Sequence, residues 1–191
     1  MSTYVNSFFE KRVDQLFELA HVIEQIFSSA HLEYRIVGGL ATYLYVEQKE
    51  PDAGRLTKDI DIAVCRDELM KIAAAAKNFG FEHRHVSGVD MLVPSNGGSA
   101  RKAVHLIFAG ERVRPDYSQP VPKLGSHETI QGLKLIPLAD LLRMKLTSFR
   151  IKDQTHIKDL DEAGLLTPQI ESEAELSTLL RDRLRYIREH D

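Results

Sequence analysis

Several features that would take this chain out of the ordinary globular class are scarce or missing. One cysteine, Cys65, stands in 191 residues. That excludes an internal disulfide and any multi-cysteine zinc site, and makes a reducing cytoplasm the expected address. No apolar run approaches the ~20 residues a membrane helix needs, so no membrane contact is expected. The opening stretch MSTYVNSFFEKRVDQ carries charge where a signal peptide needs apolar residues. Positive charge is not in excess either: 25 Lys and Arg against 28 Asp and Glu leave a net charge of -3. Any contact with nucleic acid must therefore come from a local patch. Internal repeats and low-complexity tracts are also lacking. The remainder, 43% hydrophobic and 28% charged, is the composition of a soluble chain with a buried core.

Phe9, Val13, Leu16, Ala20, Ile23 and Phe27 recur at steps of three or four, predicting an amphipathic first helix. Tyr34–Val37 reads as a strand that meets a tight turn at Gly38-Gly39, with a helix over 40–48 and a loop over 50–55. Over 59–64, Ile60, Ile62 and Val64 alternate with Asp59, Asp61 and Ala63, which predicts a strand with one apolar and one largely acidic face. A helix over 67–78 closed by Gly80 precedes strands over 81–86, 90–93 and 103–108, with a turn cluster over 94–99. A short strand over 133–136 ends at Pro137, which opens a helix with the stripe Leu138, Leu141, Leu142, Leu146 and Phe149. Asp153 is placed to cap a helix running to Ala163, and Thr167-Pro168 starts a last helix bearing Leu176, Leu179, Leu180, Leu184 and Ile187. This order predicts an α/β (α+β) fold: a mixed β-sheet with flanking helices over 1–136, and a helical C-terminal region over 137–191 packed on it.

The chemistry is concentrated in two short blocks. Residues two apart on a strand point the same way, so Asp59 and Asp61 place two carboxylates on one face. Their mutual repulsion is relieved by a bound cation, and hard ions such as Mg²⁺ favour carboxylate oxygens while leaving positions for phosphate and water. Alone, Asp-x-Asp is most often a solvated strand face. Here it follows Gly38-Gly39 at a strand-to-helix junction, where backbone N–H groups and a helix N-terminus attract an anion. Arg55, Thr57 and Lys58 lie between the two blocks.

Val37-Gly38-Gly39-Leu40-Ala41 followed by Arg55-x-Thr57-Lys58-Asp59-Ile60-Asp61 resembles the signature of the nucleotidyltransferase (polymerase-β-like) superfamily. The likeness is greatest to its minimal bacterial members, including AbiEii-type toxins. Met144-Lys145-Leu146-x-x-Phe149-Arg150-x-Lys152-Asp153-x-x-His156-x-x-Asp159-Leu160 is similar to later motifs of that branch. The resemblance implies a nucleoside triphosphate (NTP) bound at Gly38, Gly39, Arg55, Thr57, Lys58 and Lys145, and Mg²⁺ or Mn²⁺ held by Asp59 and Asp61. It further implies transfer of a nucleoside monophosphate to a hydroxyl on RNA, a protein or a small molecule. Asp153 and Asp159 would support the site from behind.

The sequence departs from that pattern where the superfamily carries a third carboxylate on a later strand: Lys102-Ala103-Val104-His105-Leu106 has His105 there. Three readings follow. His105 acts as the general base, since an imidazole titrates near neutral pH; Glu111 or Asp116 folds back to replace the acid; or transfer is lost, leaving a nucleotide-binding or regulatory module. His156 and Asp159 share a helix face at i and i+3, which reads as a salt-bridged helix start before it reads as a metal site. His83, Arg84 and His85 alternate across a strand and need no ligand, and Arg101-Lys102 beside Gly97-Gly98-Ser99 reads as solvated charge before it reads as a small phosphate-facing patch. The apolar side of the last helix, Leu176, Leu180, Leu184 and Ile187, suits either an antitoxin partner or the chain's own core.

Overall fold

The structure, a computed structural model, describes residues 2–96 and 103–190, with side chains from residue 13 onward. Helix α1 (Ser2–Ser29) leads into β1 (Tyr34–Val37), α2 (Gly38–Lys49) and β2 (Ile60–Val64). A 3-10 turn at Arg66–Glu68 and α3 (Leu69–Lys77) precede β3 (Phe81–Val86), β4 (Val89–Pro94), β5 (Val104–Phe108), β6 (Glu128–Ile130) and β7 (Leu133–Leu135). Helices α4 (Leu138–Ser148), α5 (Ile151–Glu162), α6 (Pro168–Glu173) and α7 (Thr178–Glu189) follow. The side chain of Phe9, residues 97–99 of the expected turn cluster, and Arg101-Lys102 lie outside what is described.

Seven strands form one mixed sheet in the order β3-β4-β5-β2-β1-β7-β6. Strand β1 pairs antiparallel with β2 and parallel with β7, and β2 pairs parallel with β5. Two rows of side chains run across the middle strands, one on each face. Ile36, Ile62, Leu106 and Asp90 are successive cross-strand partners, as are Val37, Asp61, His105 and Met91. The first row is core, with Ile36, Ile62 and Leu106 all buried. Its terminal Asp90 is buried too, and its carboxylate is held by His83 Nε2 at 2.7 Å and His85 Nδ1 at 3.1 Å. Burial by itself would raise the pKa of Asp90, but the two imidazoles outweigh it and hold the carboxyl below its usual range. His83 and His85 thus share one face and a structural task. The second row carries the polar groups.

Three expectations need correction and one a refinement. Asp59 precedes β2 rather than lying within it. Asp153 does cap α5, but from the third helical position rather than the first: its carboxylate accepts a hydrogen bond from the backbone N–H of Arg150, the residue before the helix. The final helix is two helices, because Ser177 caps a fresh start through Leu180 N–H at 3.4 Å. Strand β6 was not expected. Leu176, Leu180, Leu184 and Ile187 are buried in the chain's own core, where α7 packs on α4 and α5, which in turn pack on α2.

Candidate active site

The site begins where β1 becomes α2. Gly38 opens the helix at φ +66°, a left-handed conformation that costs a side chain roughly 1–2 kcal/mol. A Cβ at this position would lie 2.3 Å from Asp61 Oδ2, so the carboxylate rests where only hydrogen is tolerated. Among the described residues no side chain caps the start of α2, leaving its first N–H groups for a ligand.

Asp61 and His105 are direct partners on the parallel strands β2 and β5, and their side chains meet: His105 Nδ1 lies 2.9 Å from Asp61 Oδ1. A carboxylate acceptor places the imidazole proton on Nδ1 and leaves Nε2 for other work. The hydrogen bond to Asp61 raises the pKa of His105 above its ordinary value against the opposing effect of burial, with the charges of Asp61 and Asp59 adding to the rise. Oδ2 of the same carboxylate stays over Gly38.

Helices α4 and α5 bring in a second set. Lys145, only 3% exposed, places Nζ 2.7 Å from His156 Nδ1, and Asp153 Oδ1 is 3.8 Å away. Asp153 is engaged elsewhere, accepting from Ser148 Oγ and from Arg150 Nε, each at 2.7 Å. Burial pushes Lys145 down to about 8, while Asp153 and Asp61 pull the other way. His156 is pushed down to about 3 by burial and then by the neighbouring Lys145 charge, so it is a neutral acceptor at physiological pH. Gly38, Asp61, His105, Lys145 and Asp153 line one cavity of about 710 Å³, within the range of small-ligand sites.

The other candidate residues gather elsewhere. A Cβ on Gly39 would sit 2.6 Å from Thr57 Oγ1 and 3.5 Å from His156 Cε1. Each glycine of the pair is therefore required by a different residue of the second block: Gly38 by Asp61, Gly39 by Thr57. Arg55 Nε donates to Asp159 Oδ1 at 2.8 Å, which ties the loop before β2 to α5. Thr57 Oγ1 and Asp159 Oδ2 are buried with no hydrogen-bond partner among the described residues. Lys58 and Asp59 are exposed, and neither is among the residues lining the cavity, nor are Arg55 and Thr57. Glu111 does line it but is held by Arg66 through both carboxylate oxygens, and Asp116 is exposed and not among the lining residues, although its neighbour Tyr117 is.

No protein-family model matches the sequence, and no curated protein matches it. Solved structures do. The chain is similar to the antibiotic-resistance factor ANT(2'')-Ia in its solution structure, with a TM-score of 0.57 at 14% identity over 94% of this chain and 97% of that one. The crystal structure of ANT(2'')-Ia in complex with adenylyl-2''-tobramycin gives 0.56 at 12% identity, covering 92% and 98%. An antigenic nucleotidyltransferase-like protein from Paracoccidioides brasiliensis gives 0.56 at 20% identity, covering 91% and 87%. The fold is that of the nucleotidyltransferases.

On this nucleotidyltransferase fold, the residue that sequence reasoning undervalued is His156. Asp153, His156 and Asp159 recur at i, i+3 and i+6 and all are buried, alongside Ile157 and Leu160. The helix start is salt-bridged and capped as read, and the structure adds that this polar stripe, set within an apolar one, is a buried network. Its burial has a consequence for stability. Between ~6.5, the ordinary imidazole value, and about 3, the unfolded chain takes up a proton at His156 that the native chain refuses. This contribution to stability is complete above pH ~6.5 and declines as pH falls toward about 3. Asp153, whose carboxyl Arg150 and Lys145 hold below its usual range despite burial, adds a loss at lower pH still. The unfolding free energy of the wild type is expected to drop by ~2 kcal/mol more between pH 7 and pH 5 than that of His156→Asn. Urea titrations at the two pH values check this; equal drops would refute the neutral, buried imidazole.

Proposed function

We propose that the protein is a nucleotidyltransferase enzyme that moves a nucleoside monophosphate from an NTP to a hydroxyl acceptor with release of pyrophosphate. The observation that carries this reading is the Asp61–His105 pair set against Gly38 and Lys145 on a single cavity. The triphosphate meets the uncapped start of α2, and Lys145 offsets the negative charge that develops on the leaving group. Asp61 orients His105 through Nδ1–H, and Nε2 takes the acceptor's proton, the arrangement by which a carboxylate prepares an imidazole base. His105 thereby does the deprotonating work of the absent third carboxylate. The resemblance in motif to the minimal bacterial members of the superfamily supports placing the chain with that branch, with an RNA end, a protein or a small molecule as the acceptor.

The donor set suits a hard divalent ion. Asp61 Oδ2 is not used by His105, and Asp59 follows the same alternation just ahead of β2. Among the described residues no group of three His, Cys, Asp or Glu is arranged to hold a metal alone. Mg²⁺ characteristically takes one or two carboxylates and completes its shell with substrate phosphates and water; Asp61 would be the ligand on the cavity, and Asp59, exposed and outside its lining, would have to turn toward it to be the second. When bound with the nucleotide, Mg²⁺ or Mn²⁺ supplies charge neutralisation for the phosphates.

Incubation with α-labelled NTPs, Mg²⁺ or Mn²⁺, and fractionated RNA, protein and metabolites tests the reading: label is expected in one acceptor fraction. The rival reading, a nucleotide-binding module without turnover, draws its support from the histidine at the third-carboxylate position. His105→Asp separates the two. A loss of transfer of about 10²-fold, the usual worth of a general base, is expected if histidine works. A gain would show degeneration, and no labelled fraction from the wild type would overturn transferase activity.

A further inference from the structure

We infer that Lys145 is the acid that protonates the departing pyrophosphate, and that His156 is the residue that positions it for this task. The inference rests on the transferase reading and extends it to the leaving-group side. A buried lysine is ordinarily neutralised by a carboxylate, because an unpaired buried charge is costly. Here the short hydrogen bond from Nζ goes to an imidazole, His156 Nδ1, at 2.7 Å. The carboxylate that could have served, Asp153, stands at 3.8 Å with its oxygens engaged by Ser148 and Arg150. An ammonium has three donors, so one bond to His156 fixes its direction and leaves protons for the cavity that Lys145 lines.

The choice of acceptor decides what Lys145 can do. A carboxylate at 2.7 Å would hold the proton on nitrogen; a neutral imidazole orients the ammonium without binding its charge. The groups acting on Lys145 from the surrounding elements are Asp61 on β2, and Arg150, Lys152 and Asp153 at the start of α5. Their opposite signs offset one another in part, and desolvation dominates, bringing the ammonium down to about 8. A proton held that loosely is transferable near neutral pH, unlike that of an arginine.

The step balances as follows. The acceptor oxygen forms a bond to the α-phosphorus while the bond from that phosphorus to the bridging oxygen of the β-phosphate breaks. The acceptor's proton goes to His105 Nε2, and Lys145 gives one proton to the departing bridging oxygen. Lys145 ends as the amine and His105 as the imidazolium, and both return to their starting states by exchange with solvent.

Leaving-group dependence separates an acid from a fixed positive charge. Single-turnover transfer is measured with ATP analogues whose β,γ-bridging oxygen is replaced by CH₂, CHF or CF₂, a series of decreasing leaving-group basicity. The wild type is expected to show a shallow dependence. Lys145→Arg keeps the charge but not the transferable proton, and is expected to slow the CH₂ analogue by about 10²-fold more than the CF₂ analogue, the usual scale of general-acid catalysis. His156→Phe, which removes the lone pair, is expected to behave likewise, and His156→Asn, whose side-chain carbonyl can accept from Nζ, to restore most of the shallow dependence. If His156→Phe fails to fold, Lys145→Arg and His156→Asn carry the comparison. Equal dependence in wild type and Lys145→Arg, with transfer retained, would overturn the acid role and leave the transferase reading standing. An absence of transfer from every analogue by the wild type would overturn both.

Discussion

Asp61→Asn is expected to lower kcat for nucleotidyl transfer by about 10³-fold or more, with the fold retained. Two functions meet on this one carboxylate. Oδ1 receives the Nδ1–H of His105, and Oδ2 rests over Gly38 on the side of the α2 N-terminus. An amide of the same shape withdraws the negative charge that raises the pKa of His105, leaving a weaker and less firmly oriented base. Loss of the equivalent charge in an Asp–His–nucleophile arrangement costs about 10⁴-fold, and a second loss here, of a cation-holding oxygen, acts in the same direction. Because Asp61 is only partly buried, the thermal midpoint is expected to stay within a few degrees of wild type, which separates a chemical defect from unfolding. Activity within tenfold of wild type would remove the pair from the centre of the mechanism.

Gly38→Ala is expected to cost about 10²-fold in kcat for a small change in stability. Two penalties coincide at this position. The left-handed φ of +66° disfavours any side chain by roughly 1–2 kcal/mol, and the new methyl would fall 2.3 Å from Asp61 Oδ2. The atom obliged to move is the end of a side chain rather than backbone, so the collision is expected to displace the carboxylate rather than break the sheet. A displacement of about 1 Å in a catalytic group is enough for a loss of this size. Gly80→Ala is the control: its φ is +77°, but nothing among the described residues lies within 4 Å of an added Cβ. Both variants are expected to lose similar stability in urea titrations, and only Gly38→Ala to lose transfer. Equal activities would mean that Asp61 can withdraw without consequence.

Much of the sheet was legible because its strands carry local signals. Tyr34–Val37 and Phe81–Val86 are bounded as read, and the alternation through Ile60, Asp61 and Ile62 set the faces of β2. The hairpin of β6 and β7 was half missed: three-residue strands are too short to show alternation, and the turn is made by Gln131, at φ +51°, with Gly132 rather than by an Asn-Gly pair. The break between α6 and α7 was hidden because Leu176, inside the connection, and Leu180, in α7, are both buried and continue one apolar stripe across it. Within the site, Gly38, Asp61 and His105 were legible because Asp61 pairs with His105 and with Val37, the residue just before Gly38. Arg55 was not, since its partner Asp159 lies more than a hundred positions away on α5, and nothing local to 55–58 says which side of the loop faces the cavity. His156 had the same difficulty: its burial comes from the packing of α5 on α2.

The contact between Gly39 and Thr57 constrains how the chain can vary through time. The hydroxyl and Cβ of Thr57 occupy the volume that any side chain at 39 would need, at 2.6 and 2.9 Å from its first carbon. Enlarging one position alone produces a collision, and shrinking the other alone leaves a void beside His156. Related chains should therefore exchange these two residues as a couple, and a lineage that keeps glycine at 39 has room to keep threonine at 57 even if it abandons catalysis.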